Sequence, residues 1–164
     1  MTRVIQRCNR RLALLSIATL ITVPTAARAI SDPDRVVLTD AEWRKRLSPQ
    51  AYRVLRHEDT EMPFSSPLDH ETRAGRYLCA GCELPLYSSK TKYDSGTGWP
   101  SFWQPLPNAI RTKSDDELPG EVRTEVHCRR CAGHLGHVFD DGPPPTGKRY
   151  CMIGVALTFV PDRN

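Results

Sequence analysis

The sequence predicts one small, mainly β domain with antiparallel strands behind short N-terminal helices. Two observations carry this. From Gly75 onward, short runs rich in Val, Ile, Thr and Tyr are separated by Gly and Pro turns. Before that point, two helix-start signals stand close together, at Thr39 and at Ser48-Pro49. Successive short strands after segregated helices give a mainly β, mostly antiparallel domain with N-terminal helices.

Residues 1–29 are set aside before the fold is read. Arg3, Arg7, Arg10 and Arg11 form a basic stretch without acids, followed by an apolar run from Leu12 to Val23 and by Ala27-Arg28-Ala29. This is the pattern of a cleaved export signal. The apolar run is too short for a membrane anchor. Arg10-Arg11 leaves twin-arginine and Sec export both open. Export to the periplasm is therefore expected, with residues 30–38 as an extended lead-in and a domain over residues 39–161.

Export also changes the charge argument. The full chain has 23 Lys and Arg against 19 Asp and Glu, a net of +4. Five of those basic residues lie in residues 1–29, so the remainder carries 18 against 19, a net of −1. Such a balance gives no signal for nucleic acid or anionic membrane as a partner.

Along the remaining chain, Thr39-Asp40-Ala41-Glu42 is a capping box and predicts a helix to about Leu47. Ser48 as N-cap and Pro49 at N1 predict a second helix to about His57. Glu61 to Arg73 is polar, contains Pro63 and Pro67, and reads as a loop packing over the domain. Strands are expected at Arg76–Cys79, Leu84–Tyr87, Ile110–Lys113, Val122–Cys128, Leu135–Phe139 and Tyr150–Val160.

Four cysteines occur as Cys79-Ala80-Gly81-Cys82 and Cys128-Arg129-Arg130-Cys131. Two knuckle-spaced pairs suit one tetrahedral Zn²⁺, which would tie distant hairpins together. Two disulfides are the rival reading in an oxidising compartment. A redox pair wants a following helix, which Glu83-Leu84-Pro85 does not offer. Haem attachment wants His directly after the second Cys, where Glu83 and Ala132 stand.

Cys151 is left without a partner. Taken alone, it reads as a small apolar residue packed in a strand. Its surroundings argue otherwise. His134 and His137 lie three residues apart, and Asp141 precedes the proline-rich turn (Pro143-Pro144-Pro145) that leads to Arg149-Tyr150-Cys151. Imidazoles and a guanidinium beside a thiol would favour the thiolate and supply acid-base chemistry. Upstream, Tyr93 to Trp103 is a loop dense in Gly, Pro and aromatics, able to wall a thiol with an indole face.

The order of these motifs resembles a known family. Gly-Thr-Gly-Trp-Pro-Ser-Phe (96–102), the paired Cys-x-x-Cys, His-Leu-Gly-His-Val-Phe-x-Asp-Gly-Pro (134–143) and Arg-Tyr-Cys (149–151) are similar to the methionine-(R)-sulfoxide reductases of the B class. The resemblance runs from about Thr39 to Pro161. It implies two antiparallel sheets in a tent-like arrangement, with one structural Zn²⁺ on Cys79, Cys82, Cys128 and Cys131. It implies Cys151 as nucleophile on the sulfoxide sulfur, leaving a sulfenic acid, with His137 and His134 protonating the oxygen. Asp141 and Arg149 would orient acid and thiolate, and Trp99 and Phe102 would bind the substrate. The implied partners are proteins or peptides carrying methionine sulfoxide, and a thioredoxin-like or small-thiol reductant for a monomeric enzyme.

Two departures bear on the cycle. Many family members have a resolving Cys where this chain has Thr97, so an external thiol is expected to reduce the sulfenic acid directly. Ile153-Gly154 stands where the family usually has Asn-Ser, and slower chemistry or altered substrate preference is expected. The competing readings are an exported zinc-ribbon-like binding module with a packed Cys151, a general thiol oxidoreductase, and a catalytically weakened family member.

Overall fold

The computed structural model describes residues 34–116 and 120–163. The export signal and residues 30–33 of the lead-in lie outside the described residues. The end of the lead-in, residues 34–38, is extended and tied to the second cysteine knuckle: Val36 N–H donates to the Arg130 carbonyl at 2.9 Å, and the Asp34 carboxylate meets Arg129 and Arg130.

Helix α1 (Asp40–Arg46) begins at the predicted capping box, with Thr39 and Glu42 satisfying each other's backbone N–H. Helix α2 (Pro49–His57) begins at Ser48-Pro49 and ends at Glu58, whose φ of 56° closes it in the left-handed region. Its buried face, Ala51, Tyr52, Val54 and Leu55, faces the sheets.

Nine strands follow among the described residues: β1 (Gly75–Cys79), β2 (Pro85–Ser88), β3 (Lys92–Tyr93), β4 (Ser101–Phe102), β5 (Ile110–Asp115), β6 (Arg123–Cys128), β7 (His134–Phe139), β8 (Arg149–Met152) and β9 (Leu157–Pro161). They form a three-stranded sheet in the order β2-β1-β9 and a six-stranded sheet in the order β3-β4-β8-β7-β6-β5. Every pairing is antiparallel. Tyr77, Leu86, Tyr87, Phe102, Val126, Leu135 and Met152 fill the core. Phe102 lies at its centre, stacked on Tyr87 at 4.4 Å and edge-on to Tyr77 at 4.9 Å.

The single strand expected over Tyr150–Val160 is instead two strands in different sheets. The chain breaks at Ile153 and makes a 3₁₀ turn over Gly154–Ala156. The cause comes from outside the strand. Glu61, buried in the loop before β1, accepts hydrogen bonds from the Gly154 and Val155 N–H groups. Those donors are thereby removed from any ladder. A Cβ at Gly154 would lie 1.9 Å from Ser66 Oγ, so with the Ser66 side chain as it stands glycine lets the turn pass close under that loop. Apolar alternation in Val155, Leu157 and Phe159 is blind to this event.

Both cysteine knuckles close in the same way. The fifth residue of each, Glu83 and Ala132, has a positive φ (61° and 56°). Each donates its N–H back to the first cysteine's carbonyl, at 2.8 and 2.9 Å. Cys79 ends β1 and Cys128 ends β6, so the four-cysteine cluster joins one sheet to the other.

Candidate active site

One rung of the six-stranded sheet takes a residue from every strand. Lys113 pairs with Glu125, Glu125 with His137, His137 with Cys151, Cys151 with Ser101, and Ser101 with Tyr93. Cross-strand partners project to the same face. The alternate residues Val126, Met152 and Phe102 point into the core. This parity corrects the expectation for Phe102. In the two-residue strand β4, Ser101 takes the site face, so Phe102 must take the other and cannot line a substrate cleft. Phe139 of β7 lines it instead.

His134 reaches the site by a different device. Three residues along a regular strand would put it on the opposite face from His137. Here Val126 pairs with Gly136 but His127 pairs with His134, so β7 carries one extra residue. This bulge returns His134 to the site face, with its ring 5.5 Å from that of His137. Gly136 has φ 137°, and a Cβ there would lie 2.1 Å from the Cys151 carbonyl oxygen. Glycine is therefore required where β7 meets the thiol strand.

Each histidine has its own carboxylate. His134 Nδ1 is 2.8 Å from Glu125 Oε1, and His137 Nε2 is 2.7 Å from Asp115 Oδ2. Arg123 and Lys113 neutralise these acids, at 2.6 Å from Asp115 and 2.7 Å from Glu125. A carboxylate only accepts, so the facing nitrogens carry the protons and His137 Nδ1 keeps a free lone pair. Burial pushes both imidazoles below the ordinary value of 6.5, and for His137 the Asp115 hydrogen bond opposes this only in part. Both are neutral at pH 7.

Asp141 does not occupy the place expected for it beside the acid. It is exposed and forms a bidentate pair with Arg149, both bonds at 2.8 Å. Arg149 in turn lies 4.3 Å over the Phe139 ring, and its charge pulls the Cys151 thiol down. The carboxylates that hold the histidines, Asp115 and Glu125, escaped the sequence reading, as did Lys113 and Arg123. The signal for them was the charged alternation Arg111, Lys113, Asp115 along β5.

Cys151 Sγ is half-buried, 3.9 Å from Thr97 Oγ1. Thr97 is linked through Ser95 to Ser101 by hydroxyl bonds of 2.8 and 2.7 Å. Burial pushes the thiol above its ordinary value of 9.0, while Thr97 and Arg149 pull it down without cancelling that effect. The expected depression of the thiol is thus outweighed by desolvation. Cys151, His134, His137 and Trp99 share one cleft of about 370 Å³, with Ile153 and Phe139 as apolar walls. A soft nucleophile, a proton-carrying imidazole and an apolar pocket meet there.

The four remaining described cysteines are buried, and their sulfurs all lie within 4.8 Å of one another. Cys79–Cys131 and Cys82–Cys128 are 3.6 and 3.5 Å apart, far beyond a disulfide bond. A tetrahedron of sulfurs about 2.3 Å from a central Zn²⁺ has edges of about 3.8 Å. The donor set fits such an ion. Four thiolates this close repel each other, so the cluster ionises fully only around a cation.

Residues 47–161 match the model of the SelR domain. The chain belongs to the SelR family. Its curated relatives include proteins named peptide methionine sulfoxide reductase MsrB. One, from Agrobacterium fabrum, is 49% identical over 127 residues, covering 77% of this chain and 94% of the relative. That of Bradyrhizobium diazoefficiens is 49% identical over 139 residues, covering 85% and 99%. That of Thiobacillus denitrificans is 54% identical over 125 residues, covering 75% and 93%. The SelR match spans the second helix, both knuckles and every strand of the site.

Proposed function

We propose that this SelR protein reduces methionine-(R)-sulfoxide in proteins or peptides to methionine, with Cys151 as the nucleophile. The observation that carries the reading is the rung that sets a half-buried thiol directly across from a carboxylate-held imidazole, in a cleft walled by Trp99, Phe139 and Ile153. The names of the relatives support methionine sulfoxide as the substrate class, and the (R) epimer is part of the proposal.

In this mechanism the methyl end of the substrate packs against Trp99, and its sulfur meets Cys151. The Cys151 sulfur attacks the sulfoxide sulfur. The thiol proton passes by way of His137 Nδ1 to the sulfoxide oxygen, with Asp115 stabilising the transient imidazolium. Methionine leaves, reduced by two electrons, and Cys151 holds the oxygen as a sulfenic acid. His134 and Glu125 fix the position of His137, and Arg149, held by Asp141, favours the thiolate.

Cys79, Cys82, Cys128 and Cys131 would hold a structural Zn²⁺, which supplies no chemistry to this reaction and binds the two sheets together. None of these thiols is free to resolve Cys151. Thr97 stands at 3.9 Å from it, where a second thiol would have to lie. The cycle therefore uses one cysteine and an external thiol reductant. Residues 1–29 direct export, with the domain acting as a periplasmic monomer. Ile153, buried and without a polar group, favours a slowed member of the family as the second reading.

A single turnover without reductant tests the proposal. Mature protein is mixed with the separate R and S epimers of a blocked methionine sulfoxide. One equivalent of methionine per chain from R alone is expected, with one oxygen added to Cys151. No product from either epimer, in protein that retains its metal, refutes it.

A further inference from the structure

The loop between α2 and β1 holds an exposed apolar stretch, Met62-Pro63-Phe64, beside the substrate cleft. Met62 and Phe64 are 75% and 62% exposed. The other exposed large apolar residues among the described ones are Val37, Val122 and Val160, each on a separate segment. Single residues of that kind need no explanation, whereas a contiguous stretch does. The cleft brackets this one, because Thr60 and Trp99 both line the cleft. Met62 follows Thr60 by two residues, a span of at most about 7 Å. On the other side the Phe64 N–H donates to the Gly98 carbonyl at 2.7 Å, one residue before Trp99. We propose that Met62, Pro63 and Phe64 dock the apolar residues that flank a methionine sulfoxide in its polypeptide. The site thereby prefers apolar to polar flanks. The inference rests on the reductase reading above.

Folding alone does not account for Phe64. Met62 to Ser65 is a turn, closed by the Ser65 N–H on the Met62 carbonyl at 3.2 Å, with Phe64 in third place. Phe64 has a φ of 63°. A turn with positive φ at that place takes Gly or Asn there, and a bulky aromatic is strained. Burial does not offset the strain, since the ring is mostly in solvent. An apolar partner would cover it. The stretch is also fixed in place. Glu61 anchors it through the Gly154 and Val155 N–H groups, and Ser65 Oγ donates to the Met62 carbonyl at 2.6 Å. A Cβ at Gly98 would lie 2.6 Å from the Phe64 nitrogen, so glycine lets the turn seat against the segment that carries Trp99. A surface already fixed loses little freedom on binding.

The chemistry of the substrate names the occupant. Methionine is mostly a core residue, so the segments that carry it are rich in apolar side chains. Oxidation makes the side chain polar and disrupts the core around it. What reaches the cleft is therefore a loosened stretch of protein with apolar residues close to the sulfoxide.

The test uses two blocked peptides with the R epimer of methionine sulfoxide at the centre. Two leucines or two serines flank it on each side, and lysine ends both peptides. Single-turnover methionine formation is timed with the mature protein in excess. The parent should favour the leucine peptide about tenfold. Met62→Ser should lower this preference about twofold, and Met62→Ser with Phe64→Gly about fivefold. Glycine is at ease with the φ at position 64, so the double variant keeps the turn. Val37→Ser, on the lead-in, should leave the preference as it is. A parent without preference overturns the inference, as does a preference unmoved in both Met62 variants. A preference that falls as far with Val37→Ser overturns it too, because general surface apolarity is then the cause. If a variant slows both peptides and a blocked single methionine sulfoxide by the same factor, the loop acts through Trp99 and docks nothing. No methionine from any of these substrates with the parent refutes the reductase reading itself and the inference with it.

Discussion

Asp115→Asn isolates the electrostatic part of the proposed proton transfer. Asp115 is buried on β5 and accepts from His137 Nε2 at 2.7 Å and from Arg123 at 2.6 Å. The substitution keeps the shape and removes the charge. A hydrogen bond to a charged group contributes about 1.5–3 kcal/mol, so a transition state with an imidazolium should lose about 10- to 150-fold in rate. The sign of the pH effect follows from the burial of His137. Burial already lowers this imidazole, and Asp115 opposes that. Without the carboxylate the imidazolium forms only at still lower pH, so any acid limb of the rate profile moves to lower pH. Single-turnover methionine formation across the pH range measures both effects. A rate within threefold of the parent at every pH, in folded protein, would refute the role given to the Asp115–His137 pair.

Three other outcomes are expected. Stripping metal from the four-cysteine cluster should unfold the domain, since zinc contributes roughly 10–16 kcal/mol against a whole stability of roughly 5–15. Loss of near-UV dichroism that returns with Zn²⁺ checks this, and a stripped protein with an unchanged melting temperature contradicts it. Ile153→Asn should speed the chemical step by about 2- to 12-fold through one new hydrogen bond of about 0.5–1.5 kcal/mol; an unchanged single-turnover rate sinks the idea. Alkylation of Cys151 by iodoacetamide, followed by mass, should still be rising with pH at 9.0, because burial outweighs Arg149 and Thr97. A plateau at neutral pH would show a thiolate already formed.

The local signals in the sequence were reliable where a few neighbouring residues decide the conformation. Thr39 with Glu42, and Ser48 with Pro49, place both helices because caps act within one turn. The four-cysteine cluster was legible because each knuckle is a local turn, and only the joining of two sheets was hidden. Misses came where a distant partner decides. The break after Met152 depends on Glu61, some ninety residues earlier in the chain. The bulge that brings His134 beside His137 shows only when β6 and β7 are paired. Register likewise decides which of Ser101 and Phe102 shares a face with Cys151, and which carboxylate meets each histidine. Asp141 is nearer to the histidines in sequence, but Asp115 is the acid that the sheet brings to His137.

The rung from Lys113 to Tyr93 also determines when the protein becomes reactive during folding. A slip of one residue in any pairing would turn that strand's contribution to the far face. Until β7 and β4 are paired in register with β8, Cys151 has neither its imidazole opposite nor Thr97 beside it. The nascent chain therefore carries an ordinary thiol through its most exposed stage. Until those pairings form, a copy lacks the carboxylate-held imidazole that the proposed reduction uses.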